Sequence, residues 1–526
     1  MAAINGLKSR CAAWKSCAAK KENVFMSMLD GEGPNRRKLL QSLGLVALCL
    51  IILAGCAVGP DYRPPETKVP EKWNAQEVVT PGQPSKTTTD PASLVEWWNA
   101  FNDPILSSLV EMAIRSNLDL RQAEARIRQA RASRGVAGAA LYPAVDASAL
   151  YQKSEGSSES GTGGAIATVG GVRELFQVGL DASWEIDIFG GRRRGVEAAG
   201  ADLRAAVDDR RDVFITLVGD VGNNYINLRG FQQQIAIARN NLKAQKYTAE
   251  IIRKRFEAGF VGALDPANAN AQVATTEAQI PVLESSARAA IYNLGVLLGR
   301  EPAALEKDLI KEAPIPPTPP EIPVGLPSDL VRRRPDIRRA EAQIHAATAR
   351  IGVATADLFP KFNLAGSLGF SASDVARLGT PGSKFWSFGP TVTWPVFAGG
   401  RIRWNIKVQE AIQEQALAAY EKAVLTALKD VETALVSYAK EQERRKALSE
   451  AVANNRKAVD VSMKLYIVGK TDFLNVLTAQ RNLYTSEDAL TQSTRTVDTN
   501  LIALYKALGG GWEKQPASTE AGKAGK

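Results

Sequence analysis

The stretch "FQVGLDASWEIDIFGGRRR", residues 176–194, decides the fold. Phe176, Val178, Leu180, Ala182, Trp184, Ile186 and Ile188 alternate with Gln177, Gly179, Asp181, Ser183, Glu185 and Asp187. Period two puts the first set on one face of an extended strand and the second on the other. The result is a sheet with one apolar side and one wet side. A soluble sandwich gives that pattern, and so does a membrane β-barrel with lipid outside and water within. A run of about ten residues also suits a tilted membrane crossing. Gly190-Gly191 then stops the strand, and three arginines open a long helical pattern.

The same stretch returns later. "FAGGRIR" at 397 repeats "IFGGRRR" at 188. Phe388, Val392, Trp394 and Val396 alternate with Ser387, Gly389, Thr391 and Thr393. "LRQAEARIRQARA" at 120 matches "IRRAEAQIHAATA" at 337, and "LYPAVDASA" at 141 matches "LFPKFNLAG" at 358. "RFEAGFVGALDPANANAQ" at 255 is echoed by "LYIVGKTDFLNVLTAQ" at 465. One unit of roughly 210 residues is therefore written twice. Each copy reads as a helix (Asn117 to Leu141; Asp336 to Leu358), a strand pair, a long helix and a last helix. A Gly/Ser-rich loop, Ser154 to Gly171, joins the first strand pair, with a shorter counterpart at Ser371 to Ser383.

Two copies of two strands give four per chain. Four strands cannot close on themselves, and open edges are not tolerated in hydrocarbon. If the strands span a membrane, several chains share one barrel. Three chains give twelve strands, within the known range, whereas two give eight and little room inside.

The long helix from Arg192 to Ala258 covers 67 residues, roughly 100 Å at about 1.5 Å per residue. Phe214, Val218, Val221, Tyr225, Leu228 and Ile235 step along it in fours, threes and a seven. Val424, Leu428, Val431, Leu435 and Tyr438 repeat those steps 210 residues later. This is a coiled-coil seam. It is too narrow for a globular core, and it suits a thin-walled tube of helices. The shorter helices of a copy sum to nearly one long helix, so they can stack beside it. Gly259 and Gly469 sit where the long helices should stop, as left-handed caps. Asp265-Pro266 reads as an N-cap with proline at the first helical position, and Thr471 or Asp472 can cap the last helix. Arg332, Arg333 and Arg334 read as a solvated helix entrance, with Asp336 as its cap.

The N-terminal region adds a leader. Arg36, Arg37 and Lys38 precede an apolar run to Leu53, and Leu53-Ala54-Gly55-Cys56 follows. A basic flank, a run short of about 20 residues and small residues before a cut describe a secretory signal. The last four residues resemble the lipobox of bacterial lipoproteins, which implies cleavage before Cys56 and acylation of its thiol. Ala57 in place of Asp favours the outer membrane. Residues before 36 fit a signal poorly, and Met26 and Met28 are alternative starts. Cleavage removes Cys11, Cys17 and Cys49, leaving no free thiol or disulfide. His345 is the only histidine, which gives a triad or zinc site no second His. It reads as a polar wall residue. The net charge is +9, and the first 55 residues hold eight Lys/Arg against three Asp/Glu. The remainder is near +4, which gives no reason to invoke nucleic acid. There is no phosphate-binding loop, and "AGSLG" at 365 misses the nucleophile-elbow pattern. Non-enzymatic function is expected, with no cofactor beyond a covalent lipid on Cys56.

Four stretches carry a family resemblance: "CAVGPDYRPP" at 56, "WWNAFNDPILSSLVEMAIRSNLDLRQAEARI" at 97, "DLVRRRPDIRRAEAQI" at 329 and "WPVFAGGRIR" at 394. From Cys56 to about Trp512 the chain resembles the TolC-like outer-membrane efflux proteins. It is most like their lipoprotein branch, which serves RND-type multidrug pumps. The resemblance implies an α+β membrane channel. A long coiled-coil α-barrel and a transmembrane β-barrel would each be completed by trimerisation. The implied organisation is an extension and signal peptide (1–55), an anchor and N-terminal equatorial segment (56–115) and repeat 1 (116–300). A Pro-rich equatorial linker (301–328), repeat 2 (329–508) and a C-terminal tail (509–526) follow. Implied partners are two further copies, outer-membrane lipid, a periplasmic adaptor and an inner-membrane RND-type pump. Gly259, Asp265, Gly469 and Asp472 would lie at the periplasmic tip, where three Asp472 carboxylates could ring the pore. Without the resemblance a coiled-coil lipoprotein scaffold with no pore stays open. Within it, a type I secretion or metal-efflux channel does.

Overall fold

The computed structural model describes residues 57–67, 69–74, 86–88, 94–155, 172–319, 321–323 and 326–512. The expected leader, Cys56, nearly all of the Gly/Ser-rich loop and the last fourteen residues lie outside the described residues. A three-residue β1 (Lys86–Thr88) comes first, followed by α1 (Pro104–Ser116), α2 (Leu118–Ala139), β2 (Ala144–Glu155) and β3 (Val172–Ile186). The long α3 (Gly191–Glu257) and α4 (Leu264–Leu297) complete the first copy. Next come β4 (Glu321–Pro323), which pairs in parallel with β1, and α5 (Pro327–Arg333). The second copy runs through α6 (Pro335–Ala356), β5 (Lys361–Ala372), β6 (Lys384–Thr393), α7 (Arg401–Ile467) and α8 (Phe473–Ala507).

Both long helices have 67 residues, and the first begins and ends one residue before its sequence-based bounds. Their seams are dry. Phe214, Val218, Val221, Tyr225 and Leu228 are buried on α3, as are Val424, Val431, Leu435 and Tyr438 on α7. Toward the sheet the helices pack in the order α2, α3, α6, α7; toward the far end the order is α4, α3, α8, α7. The short helices therefore do stack end to end beside the long one, leaving α7 at one margin of the wall and α2 with α4 at the other. The four main strands stand on this wall in register with it. They form one antiparallel sheet in the order β2, β3, β5, β6, matching α2, α3, α6, α7. Trp394 and Val396, expected to extend the last strand, lie beyond Thr393, where β6 ends.

The main core girdles the wall at mid-height. Asp103 caps α1 by accepting hydrogen bonds from Ile105 N and Leu106 N at 2.8 and 3.1 Å. That cap and Pro104 at the first helical position start α1, whose Leu106, Leu109 and Val110 are buried. They join Trp97, Trp98 and Phe101 in one cluster with Phe214 and Tyr225 of α3 and with Leu501 and Tyr505 of α8. Trp97 stacks on Tyr505 at 5.1 Å, and Tyr225 donates to Asp103 at 2.6 Å.

Two local expectations fail here. Asp336 does not cap α6. Its carboxylate takes the Arg334 guanidinium at 2.7 and 3.0 Å, and Arg334 is the cap residue. Arg334 is also not solvated. It is largely buried, donates to Ala507 O at 3.0 Å and lies 3.5 Å from Asp430. Partners far away in sequence turned a charge run into an anchor for the end of α8.

Candidate functional site

The strand register sorts the sheet into two faces. Across the four strands, Ala147, Leu180, Leu368 and Trp386 form one row, and Val145, Ala182, Gly366 and Phe388 form another. The opposite face carries the row Asp146, Asp181, Ser367 and Ser387. Ser148 donates to Asp181 at 2.8 Å, and the Ser367 and Ser387 hydroxyls pair at 2.6 Å. The apolar face is bare: Leu368 is 61% exposed, Phe388 69% and Trp386 80%. Isolated surface apolars are ordinary, but a contiguous sheet face of them marks contact with lipid or protein.

Each strand pair is pinned to the helical wall by a tryptophan. Trp184 Nε1 donates to Leu141 O at 2.9 Å, and Trp394 Nε1 donates to Leu358 O at 3.1 Å. These carbonyls follow α2 and α6 in corresponding places of the two copies. Gly190 and Gly400 both adopt positive φ, 79° and 83°, at the turn into each long helix. Gly190 has no side chain to cap α3, so Asp187 supplies the acceptors instead, for Arg192 N and Arg193 N at 3.1 and 2.8 Å.

A strap, residues 57–67, runs down from this junction. Val58 N donates to Phe189 O at 3.0 Å. Asp61 receives the buried Arg194 guanidinium at 2.7 Å, and Glu197 receives its other side at 2.8 Å. Tyr62 stacks on His345 at 4.2 Å and donates to Glu341 at 3.0 Å. His345 meets Glu197 at 2.9 Å, so it is a wall residue tying α6 to α3.

At the far end both long helices finish as expected. Gly259 and Gly469 have φ of 77° and 74°. Phe260 N donates to Arg255 O, and Lys470 N to Leu465 O, each at 2.8 Å. These six-to-one bonds, with Gly259 and Gly469 as the left-handed residues, are Schellman caps. The two turns are brought together. Ile252, Ala269, Tyr466, Phe473, Val476 and Leu477 form a second, smaller core, and Arg255 donates to Tyr466 O at 2.8 Å. Burial pushes the Tyr466 hydroxyl above its ordinary pKa, with Arg255 opposing and Asp265 adding to the rise.

The aspartates at these turns behave differently from their sequence reading. Asp265 is not a cap: α4 starts at Leu264, so Asp265 lies in the first turn and donates its N–H to Gly262 O at 3.2 Å. A tight Gly262-Ala263 turn begins the helix earlier than the Asp-Pro pair indicated. Asp472 does occupy the N-cap position of α8, but its side chain makes no capping bond, and its carbonyl accepts from Asn475 N instead. Its carboxylate is therefore not used up by the helix.

One buried acid escaped the sequence reading. Asp498 of α8 is fully buried, accepts from Thr318 at 2.9 Å, and has no partner for Oδ2 among the described residues. Burial pushes its carboxyl up to about 7, opposed by the Thr318 hydrogen bond and Arg445. Aspartate on a helix gives no local sign of this, since the burial comes from the linker packed over it. Among the described residues no group of three or more His, Cys, Asp or Glu could hold a metal ion, and no helix is long and apolar enough to cross a membrane.

The bare sheet on a coiled-coil wall has known counterparts. The family described as outer membrane efflux protein matches residues 109–300 and 326–510, and the chain belongs to that family. It is 35% identical to the pyoverdine export outer membrane protein OpmQ of Pseudomonas aeruginosa, over 90% of this chain and 98% of that one. It is 32% identical to nodulation protein T of Rhizobium leguminosarum bv. trifolii, over 88% and 96%. Among solved structures, the outer-membrane channel OprN superposes with a TM-score of 0.80 at 37% identity, covering 87% of this chain and all of that one.

Proposed function

We propose that the chain is the outer-membrane exit duct of a tripartite efflux system, and that three copies close one channel. The observation that carries this reading is the four-stranded sheet with a bare apolar face, a polar face and two edges, β2 and β6, that have no partner strand among the described residues. In hydrocarbon those edges need partners. Pairing β6 of one copy with β2 of the next satisfies them, and the same step brings α7 against the neighbour's α2 and α4. The α7 margin suits such a neighbour: Trp404, Val408 and Ile412 form an exposed apolar stripe at four-residue spacing. Three copies give twelve strands and a lumen lined by the polar face.

Lipid on Cys56 would enter at the start of the strap, beside the sheet–helix junction. The tip would meet a periplasmic adaptor, and an inner-membrane RND-type pump would supply the energy for exporting small molecules. Three Asp472 carboxylates, free of capping duty, would ring the pore at that end and favour cations. Planar-bilayer recording tests the reading. Purified protein should conduct ions, and Asp472→Ala should weaken cation preference. A scaffold without a pore gives no channels, and unchanged conductance and selectivity in Asp472→Ala removes the ring. In cells, deletion of the gene should sensitise the host to exported compounds. Cys56→Ser should lose lipidation yet still insert, because closure of the barrel does the spanning.

A further inference from the structure

The polar face of the sheet is not polar throughout. One row across it reads Ser148, Gly179, Gly369, Phe385. The Phe385 ring lies down over the two glycines. A methyl group on Gly369 would stand 3.0 Å from its Cε1, and one on Gly179 would stand 3.4 Å from its Cζ. Phe385 is therefore half-buried on a face with no second layer among the described residues, while Trp386 and Phe388 stand out on the other side. Leu150, 48% exposed, shares this face one row further from the helices, opposite Gln177, and Leu175 follows opposite Gln152. The acidic row of Asp146 and Asp181 lies on the helix side of Phe385. The inner wall thus changes from acidic and hydroxylic near the helices to a mixed surface toward the outer end, where Phe385, Leu150 and Leu175 stand among Gln177, Ser371 and Gln152.

We propose that Phe385, held on its glycine bed, is a specificity-determining residue of the lumen that contacts aromatic and apolar parts of departing solutes. This rests on the reading of the polar face as the lumen. One side of the ring is already fixed against backbone, so little rotamer freedom remains to be lost when a solute meets the other side. The free side is a flat π-surface, which favours aromatic partners and organic cations. Covering the glycines accounts for one ring face. It does not account for Leu150 and Leu175, two further apolar side chains placed beyond it on a wall that otherwise faces water.

The test uses the full chain in planar bilayers, with tetraphenylphosphonium as aromatic probe and tetraethylammonium as its aliphatic control. Phe385→Leu keeps an apolar side chain and removes the ring. The half-blocking concentration of tetraphenylphosphonium should rise roughly three- to tenfold, while open conductance and tetraethylammonium block stay as in the unaltered protein. Phe385→Tyr, which keeps the ring, should block like the unaltered protein. Equal tetraphenylphosphonium block in all three proteins overturns the proposal and leaves the channel intact. A Phe385→Leu variant that no longer conducts assigns the ring to folding, and the proposal then falls if Phe385→Met, a flexible apolar replacement, conducts and blocks normally. Absence of conductance from the unaltered protein contradicts the channel reading itself.

Discussion

Leu368 and Leu501 are the same residue in two surroundings. Leu501 lies in the girdle at mid-height, fully buried among tryptophan, tyrosine and other leucines. Leu368 stands on the sheet, 61% exposed, with Trp386 beside it. The girdle solves the hydrophobic problem within one chain. The sheet does not solve it at all, although its apolar face is as regular as the girdle's seam. Regular alternation with no covering layer among the described residues marks a surface made to meet lipid or another chain. On the proposed reading, lipid outside and identical neighbours at the edges supply that layer, and that is the difference between the two regions.

Substitutions should separate the two regions by size and by medium. The largest effect is expected in the girdle. Phe101→Ala should lose about 3–5 kcal/mol, read by denaturant unfolding of the solubilised protein. Phe388→Ala on the sheet should lose far less in the same assay, because detergent already covers it.

The girdle should also punish charge. Asp498 has a carboxyl raised to about 7, whereas the unfolded value is near 3.9. The folded state then holds a proton that the unfolded chain has released, so stability falls as pH rises from about 4 to 7. Asp498→Asn should remove that slope and gain on the order of 4 kcal/mol above pH 7. A variant with the same pH profile as the parent would show that the girdle admits water there.

On the sheet the medium reverses the test. Leu368→Arg should lose about 2–4 kcal/mol of insertion free energy in bilayers, with less penalty if the site lies near an interface. Ser367→Arg, one residue away and facing inward, should be nearly silent, and urea titration in lipid vesicles compares them. Apart from that silent control, the smallest loss is expected at the tip. Gly469→Ala forces a left-handed residue to carry a Cβ and should cost about 1 kcal/mol. Faster amide exchange near residues 465–475, with the girdle unchanged, is its signature.

Much of this was legible because it is periodic. The period-two run at 176–188 and the heptad steps from Phe214 named the strand and the seam. Gly259 and Gly469 marked both helix ends, since only a left-handed cap explains a lone glycine closing so long a pattern. Apart from Trp394 and Val396, which fall past the end of β6, the failures are single charged residues. Asp336 and Asp265 looked like caps from their neighbours. Asp336 instead answers to Arg334, which is held by Ala507 and Asp430, far off in sequence. Asp265 yields to a turn at Gly262 that the Asp-Pro pair obscured. Arg194 is buried because Asp61, on a strap 133 residues earlier, reaches it. Asp498 is dry because Thr318 of the linker sits over it. Local sequence carries pattern, whereas the partner of a buried charge is set by topology.

The central claim is that one side of the sheet meets hydrocarbon and the other meets water. Spin labels placed singly at each position from 361 to 372, in protein reconstituted into lipid vesicles, measure this directly. Positions 362, 364, 366, 368 and 370 should collide mainly with oxygen, and 363, 365, 367 and 369 mainly with a water-soluble nickel chelate, alternating along β5. Nickel collisions at both sets, with no alternation, would contradict the account.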